Sequence, residues 1–390
     1  MSFGTRRASA RPGRTGLTVG VEEEFFLVDA EAKKACERSD LIIGAAAEYG
    51  LRLDPELKAS QVETATDICR SADDLRSELS SARGTAAAAA LRHRTLLVAS
   101  GVMPCDGPPA APFDAPRYRT IAERYGSMFS EHEVSGCHVH VGVPNRESAV
   151  QVSNHLRPWL STLIALTANS PIHKGVDTGF ASWRTVLASR WCCSGVPPYF
   201  DSADHYDSTV QMMIESGAAV DDAMIYWDVR PSARFPTIEV RVSDVPATVD
   251  ETVLLATLVR ALVSRSMRDI ENGRPAPQPT TEVLRASYAR AARDGLTGQS
   301  FDPVTTRRCP APDRLRALIL HVRDDLEDSG DLRLVKTLTA KVLAQGNGAV
   351  RQREAFARRH SVDDVIAAAA RATVADPMLA ILGGAAARSV

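Results

Sequence analysis

Three short stretches set ionisable groups two residues apart: Glu22 and Glu24, His138 and His140, and Glu239 and Arg241. A spacing of two puts both groups on one side of an extended strand, about 6.5–7 Å apart. Glutamate is disfavoured in strands, so Glu22 and Glu24 need a reason to be there. Two carboxylates so close repel unless a cation lies between them. An oxygen-rich set joined by a histidine suits Mg²⁺, with Mn²⁺ as the alternative, better than structural zinc. Arg241 adds a planar fork of donors that matches phosphate or acyl-phosphate oxygens, and it equally suits neutralising Glu22 or Glu239.

The residues between these groups are apolar. Val19, Val21, Phe25 and Leu27 alternate with the glutamates, Cys137, Val139, Val141 and Val143 with the histidines, and Ile238, Val240 and Val242 with Glu239 and Arg241. Each stretch therefore reads as a strand with one core face and one ionisable face. Such strands suit an antiparallel or mixed sheet with helices packed on one side, an α+β fold. Glu23 breaks the pattern: either the strand bulges there or Glu23 meets a buried basic partner. In SQVETATD, Gln61, Glu63 and Asp67 project together if the segment is a strand or tight loop; an exposed acidic turn is the plainer reading.

Around these strands the pattern predicts helices over 39–49, 71–99, 117–128, 147–168 and 250–270. The second has Ser71 as its N-cap and an alanine-rich middle. A long loop, about 170–204, has the length of a binding or covering segment. Residues 1–16, with four arginines among Gly, Ser and Pro, read as a disordered basic tail rather than a secretory signal. Residues 17–390 read as a single catalytic domain, with a linker candidate at 271–282 and a helical part over 283–390.

The composition removes several classes. A net charge of −2 offers no overall field for nucleic acid or an anionic membrane. No uncharged apolar run approaches a membrane span. Seven cysteines at irregular spacing, without C-x-x-C, read as free thiols of a reducing cytoplasm. Neither a P-loop nor a strand-borne G-x-G-x-x-G is present, so a bound nucleotide must be held by metal and side chains. Gly346–Arg353, GNGAVRQR, reads as a helix start.

VGVEEEFFLVD, SQVET, GCHVHVGV, ANSPIHKGVDTGFASWRTVLASRW, WDVRPSARFPTIEVRVSD and GNGAVRQR occur in this order. Together they resemble the glutamate–cysteine ligase type 2 family, the carboxylate–amine ligases, from about residue 16 to about residue 375. The resemblance implies a fold like that of glutamine synthetase and the guanido kinases, whose curved, largely antiparallel sheet floors a funnel-shaped site. It implies ATP-dependent joining of L-glutamate and L-cysteine through an acyl phosphate, with ADP and phosphate released. It places metal ligands on Glu22, Glu24, Glu63, His138 and Glu239. It puts Arg241 against the transferred phosphoryl group, Arg184 beside it in catalysis, and Arg234 with Arg241 in nucleotide binding; Asp177 also falls on the family pattern. The implied partners are ATP, an amino-acid carboxylate and an amine, with a homodimer left open.

The long loop departs from the family at residues 172–176 and at Cys192-Cys193. If it lines the amine pocket, cysteine as acceptor is in question. Three alternatives stand beside the ligase: a guanido-type kinase on the same fold, a nucleotide-binding relative without activity, and a metal hydrolase using His138 and His140. The last lacks suitable later histidines.

Overall fold

The computed structural model describes residues 16–374. The tail expectation thus falls outside the described residues, apart from Gly16. In chain order the elements that matter here are β1 (Val19–Asp29), α1 (Ser39–Glu48), β2 (Leu53–Pro55), β3 (Gln61–Ala65), α2 (Ala72–Arg92) and β4 (Thr95–Val98). They continue with β5 (Gly136–Gly142), α3 (Arg146–Leu156), α4 (Leu160–Thr167), α5 (Trp183–Ala188), β6 (Val229–Pro231), β7 (Thr237–Asp244) and α6 (Val249–Glu271). The chain then forms α7 (Thr281–Asp294), α8 (Leu332–Gln345), α9 (Gly348–Arg359) and α10 (Val362–Thr373).

Strands β1 to β7 make one sheet in the order β6-β7-β5-β1-β3-β2, with β4 pairing the C-terminal half of β1. Every ladder in it is antiparallel. Val21, Val139, Val141, Ile238 and Val240 point to one face and are buried against α2, α3, α4 and α6. Further along β1, Phe25 and Leu27 pack on α1 and the alanines of α2. That alanine run is helix packing: Ala86, Ala87, Ala89 and Ala90 are all buried. A capping box between Ser71 and Asp74 starts α2 and satisfies two of its free amides.

Four readings change. The helix expected to reach residue 99 stops at Arg92, because Arg94 adopts a positive φ of 51° and Thr95–Val98 joins β1 as a strand. The helix over 147–168 breaks into α3 and α4 around a 3₁₀ turn, Arg157–Trp159, where Pro158 has no amide to donate. The part after residue 282 contains a hairpin, Gln299–Asp302 with Arg307–Pro310, and is not purely helical. The helices do not keep to one face either: α10 covers Phe26 and Val28 on the opposite side, so the ionisable groups of that face are confined to the first half of β1.

The expected linker is an extended connection between α6 and α7, yet Tyr288, Leu315 and Val335 beyond it share one core with the sheet. GNGAVRQR does start a helix, α9. Asn347 caps it through Val350 N and anchors it by donating to the carbonyls of Ala165 and Leu166. Gly348 lies so close to the side chain of Asn169 that a Cβ would come within 2.0 Å of its Oδ1.

Candidate active site on the open sheet face

The ladders that hold the sheet together also assemble its polar face. In register, Glu22 lies opposite His138, Glu24 opposite Glu63, and Glu239 opposite both His140 and Arg230. Directly opposed residues bring their side chains into contact. Glu22 Oε2 is 3.1 Å from His138 Nδ1, and Glu22 Oε1 is 3.5 Å from His140 Nε2. Glu24 Oε1 lies 3.2 Å from His138 Nε2, while its Oε2 accepts from the amide of Gly136 at 2.6 Å. Glu239 is held between two arginines: Arg230 Nε donates to Oε2 at 3.0 Å, and Arg241 Nη1 donates to Oε1. Arg241 Nη1 also lies 3.3 Å from His138 Nδ1.

Three groups of side chains could each hold a cation: Glu22, Glu63 and His138; Glu22, His140 and Glu239; and Glu24, Glu56 and Glu63. Within each group the ligand atoms lie within 4.8 Å of one another. The five carboxylates, Glu22, Glu24, Glu56, Glu63 and Glu239, outnumber the guanidiniums that face them, Arg230 and Arg241. Burial, reinforced by the charge of Glu24, pushes the carboxyl of Glu56 up to about 8. Glu63 is also pushed well above the usual range, by burial and then by Glu56. Burial opposes the ionisation of Glu22, but hydrogen bonds and charges from His138 and His140 outweigh it and hold its carboxyl low. For Glu239, burial is likewise outweighed by Arg241 and Arg230. His138 is held below the usual imidazole range by burial and by Arg241. The buried Nε2 atoms of His138 and His140 make no well-aligned hydrogen bond and instead lie beside carboxylate oxygens of Glu24 and Glu22, at 3.2 and 3.5 Å. Imidazole nitrogens converging with surplus carboxylates fit a divalent cation with mixed oxygen and nitrogen ligands.

Glu23 meets the second of its two expectations. The ladder with β3 runs unbroken through it and the ladder with β5 reaches it in register, so there is no bulge. Its carboxylate faces the core and takes two hydrogen bonds from Arg83, Nε to Oε2 at 2.8 Å and Nη2 to Oε1 at 2.6 Å.

The structure brings together Glu22, Glu24, Glu63, His138, Glu239 and Arg241, and leaves two expected residues aside. Arg184 lies on α5, where its guanidinium donates to the backbone carbonyls of Val242 and Arg241 at 3.2 and 3.1 Å instead of joining the carboxylates. Arg234 is exposed in the tight turn between β6 and β7, which directs it outward. Its neighbour Phe235 meets His140 edge-on, ring centroids 6.0 Å apart. Asp177 forms a two-pronged pair with Arg353 of α9. Gln61 donates to Val134 O and Ser135 Oγ, tying β3 to the start of β5, whereas Asp67 is exposed beyond β3 and does not project with Glu63.

The segment expected to cover the site is pinned down. Asn169 N and the hydroxyls of Ser170 and Ser182 all donate to the buried carboxylate of Asp244, at 2.8, 2.6 and 2.7 Å. At the turn of a small hairpin, Ile172–His173 with Val176–Asp177, Gly175 N donates to Pro104 O at 2.8 Å.

Glu56, His140 and Arg230 were missing from the expected ligand and contact set. His140 was visible as the second histidine of an H-x-H strand. Arg230 and Glu56 had no such signal: β6 and β2 are three residues long, too short to show alternation, and Glu56 follows the end of β2.

Sheet and cluster together define a class: α+β proteins in which one face of an antiparallel sheet gathers carboxylates, imidazoles and guanidiniums. The family model for glutamate–cysteine ligase family 2 (GCS2) matches residues 18–371. The chain belongs to this family. It is 48% identical over 365 residues to a Mycolicibacterium smegmatis protein named "Putative glutamate--cysteine ligase 2-3", covering 92% of this chain and 99% of that one. Its fold is also that of the glutamate–cysteine ligase of Francisella tularensis solved in complex with AMP, with a TM-score of 0.68, 14% identity, and coverage of 97% and 93% of the two chains. A bifunctional glutathione synthetase from Pasteurella multocida superposes with a TM-score of 0.67 and 15% identity, over 92% of this chain and 53% of that longer one.

Proposed function

We propose that this chain is an ATP-dependent carboxylate–amine ligase that uses Mg²⁺ or Mn²⁺, with L-glutamate as the acid and L-cysteine as the first amine to test. Membership of glutamate–cysteine ligase family 2 supports the reaction class. The single observation that carries the reading is the cluster around Glu22 and His138, where carboxylates and imidazoles of adjacent strands converge on the ionisable face of the sheet. A curved sheet of the glutamine synthetase and guanido kinase kind is part of the same proposal.

Glu22, Glu24, Glu56, Glu63, His138, His140 and Glu239 are the side chains that would hold divalent cations. Bound there, the cations would neutralise the polyphosphate and the charge that develops as the phosphoryl group moves. The protein's own part is placement. The antiparallel ladders fix the ligand spacing, and Arg230 holds Glu239 from the neighbouring strand. Arg241 engages Glu239 through Nη1 and has its remaining donors for a phosphoryl oxygen.

In the proposed reaction a carboxylate oxygen of the acid attacks the γ-phosphorus of ATP, and the bond to the β-phosphate oxygen breaks, releasing ADP. The amine nitrogen then attacks the acyl carbon, loses a proton and expels inorganic phosphate. Seven free cysteines fit a reducing cytoplasmic setting, and no described helix is long and apolar enough to cross a membrane.

The test is a phosphate-release screen of acids against amines at fixed ATP and Mg²⁺. Release that requires both an acid and an amine, and that stops on chelation of the metal, supports the ligase. ADP formation on a guanidine or amine without free phosphate would indicate the kinase alternative. ATP turnover unaffected by chelation would remove the metal-cluster reading.

A further inference from the structure

We propose that Arg184 is a positioning residue that sets the aim of Arg241, and that Gly136 makes room for it. The inference rests on the ligase reading only for what Arg241 does.

In the β7–β5 ladder, Val240 lies opposite Val139, and the next pair is Ser243 opposite Cys137. Arg241 and Val242 therefore fall in an irregular stretch where the ladder is broken. At such a bulge, side-chain direction is no longer set by simple alternation, and something else must fix it. Two contacts do so here. Arg241 N donates to Asp228 O at 2.7 Å. The carbonyls of Arg241 and Val242, inside this stretch, both accept from the guanidinium of Arg184.

Arg184 is itself well fixed. It is 8% exposed, and its backbone amide donates to Ser170 Oγ, which in turn donates to Asp244. Its Nη2 lies against Gly136: a Cβ on that glycine would come within 2.5 Å of it. Gly136 is also the residue whose amide holds Glu24. One guanidinium thus abuts both the strand that carries Arg241 and the residue that orients Glu24. A planar fork holds two adjacent carbonyls in one fixed geometry; a lysine ammonium has three donors but radiates them from a single rotatable point.

The test combines kinetics with NMR. Arg184→Lys is expected to lower kcat of acid- and amine-dependent phosphate release roughly tenfold, in the range seen when outer-shell supports of a site are removed, while KM for ATP changes less. In an Arg241→Lys background the same substitution should change kcat by less than about twofold, because a residue acting through Arg241 has nothing left to aim. An equal loss in both backgrounds overturns the proposal. The Nε–H signal of Arg241 in ¹⁵N-arginine-labelled protein, identified by its absence in Arg241→Lys, should shift in Arg184→Lys. An unmoved signal also overturns it, whether or not any acid–amine pair is turned over, so a failed ligase reading stays separable. If Arg184→Lys does not fold, Gly136→Ala crowds the same guanidinium; because it also disturbs the amide that holds Glu24, it is read by the Arg241 Nε–H signal alone, and an unmoved signal overturns the proposal.

Discussion

Glu23 and Arg83 form a two-pronged ion pair inside the core, with side-chain exposures of 0% and 1%. Arg83 also donates to the carbonyls of Pro246, Ala247 and Thr373, and Thr252 donates to Glu23, so this pair joins β1, α2, α6 and the end of α10. Removing one partner strands the other without water. Arg83→Met is expected to lower the unfolding free energy by about 3–5 kcal/mol, the usual penalty for breaking a buried pair. Urea denaturation of the purified variant measures it, and a loss under about 1 kcal/mol would mean the pair is not buried as described.

Glu22→Gln and Glu239→Gln should abolish turnover, the first leaving the melting temperature within a few degrees and the second lowering it, because the buried carboxylate of Glu239 pairs with Arg230 and Arg241. Both carboxylates belong to the cluster and neither is in the apolar core. Phosphate release is the readout, and normal activity of either variant at saturating Mg²⁺ would remove that residue from the ligand set.

Glu56→Gln is the more discriminating substitution, because Glu56 reaches the cluster from outside the alternating strands. A missing ligand or ligand support should raise the Mg²⁺ concentration needed for half-maximal activity roughly 10–100-fold. A magnesium titration of activity decides it, and an unchanged midpoint would leave Glu56 a bystander.

Arg241→Lys should lower kcat far more than it raises KM for ATP. Lysine keeps the charge but not the fork, and the contact matters most as the phosphoryl group transfers. The opposite split, a raised KM with kcat intact, would assign Arg241 to ground-state nucleotide binding.

Lys58 offers a stability test away from the cluster. It is buried over the ring of Phe129, and burial pushes its ammonium down to about 8. Above that pH the folded protein sheds a proton that the unfolded chain keeps to near 10.5. Unfolding then takes up protons, so this contribution makes the fold more stable as pH rises through the window. The difference in unfolding free energy between wild type and Lys58→Met should change with pH between 8 and 10 and be flat below 7. A difference independent of pH would show that Lys58 titrates normally.

The sequence revealed the parts of the site that alternation controls. Glu22, Glu24, His138, Glu239 and Arg241 lie on long strands, where a period of two sorts side chains by face. The opposing valines confirmed that sorting, because they had to be buried. What stayed hidden depends on contacts distant in sequence. Nothing near Phe26 or Val28 announces that α10, more than three hundred residues later, closes over them. Thr95–Val98 follows a strong helix and becomes a strand only because β1 has a free edge for it. Arg184 looked catalytic because it lies in a family motif, and only the broken ladder at Arg241 shows what its guanidinium holds. For Glu23, the sequence posed the question correctly but could not name Arg83, which lies sixty residues along the chain.

The run Glu22-Glu23-Glu24 looks like a redundant acidic patch, yet its members are not interchangeable. The outer two serve the open face, and the middle one is locked into the interior. Inserting or deleting a single residue ahead of the run would swap these destinations: one outer glutamate would take the place beside Arg83, the other would be driven into the apolar core, and Glu23 would move to the ionisable face. No partly functional intermediate lies between the two frames. The strand therefore tolerates a change of residue far more readily than a change of length.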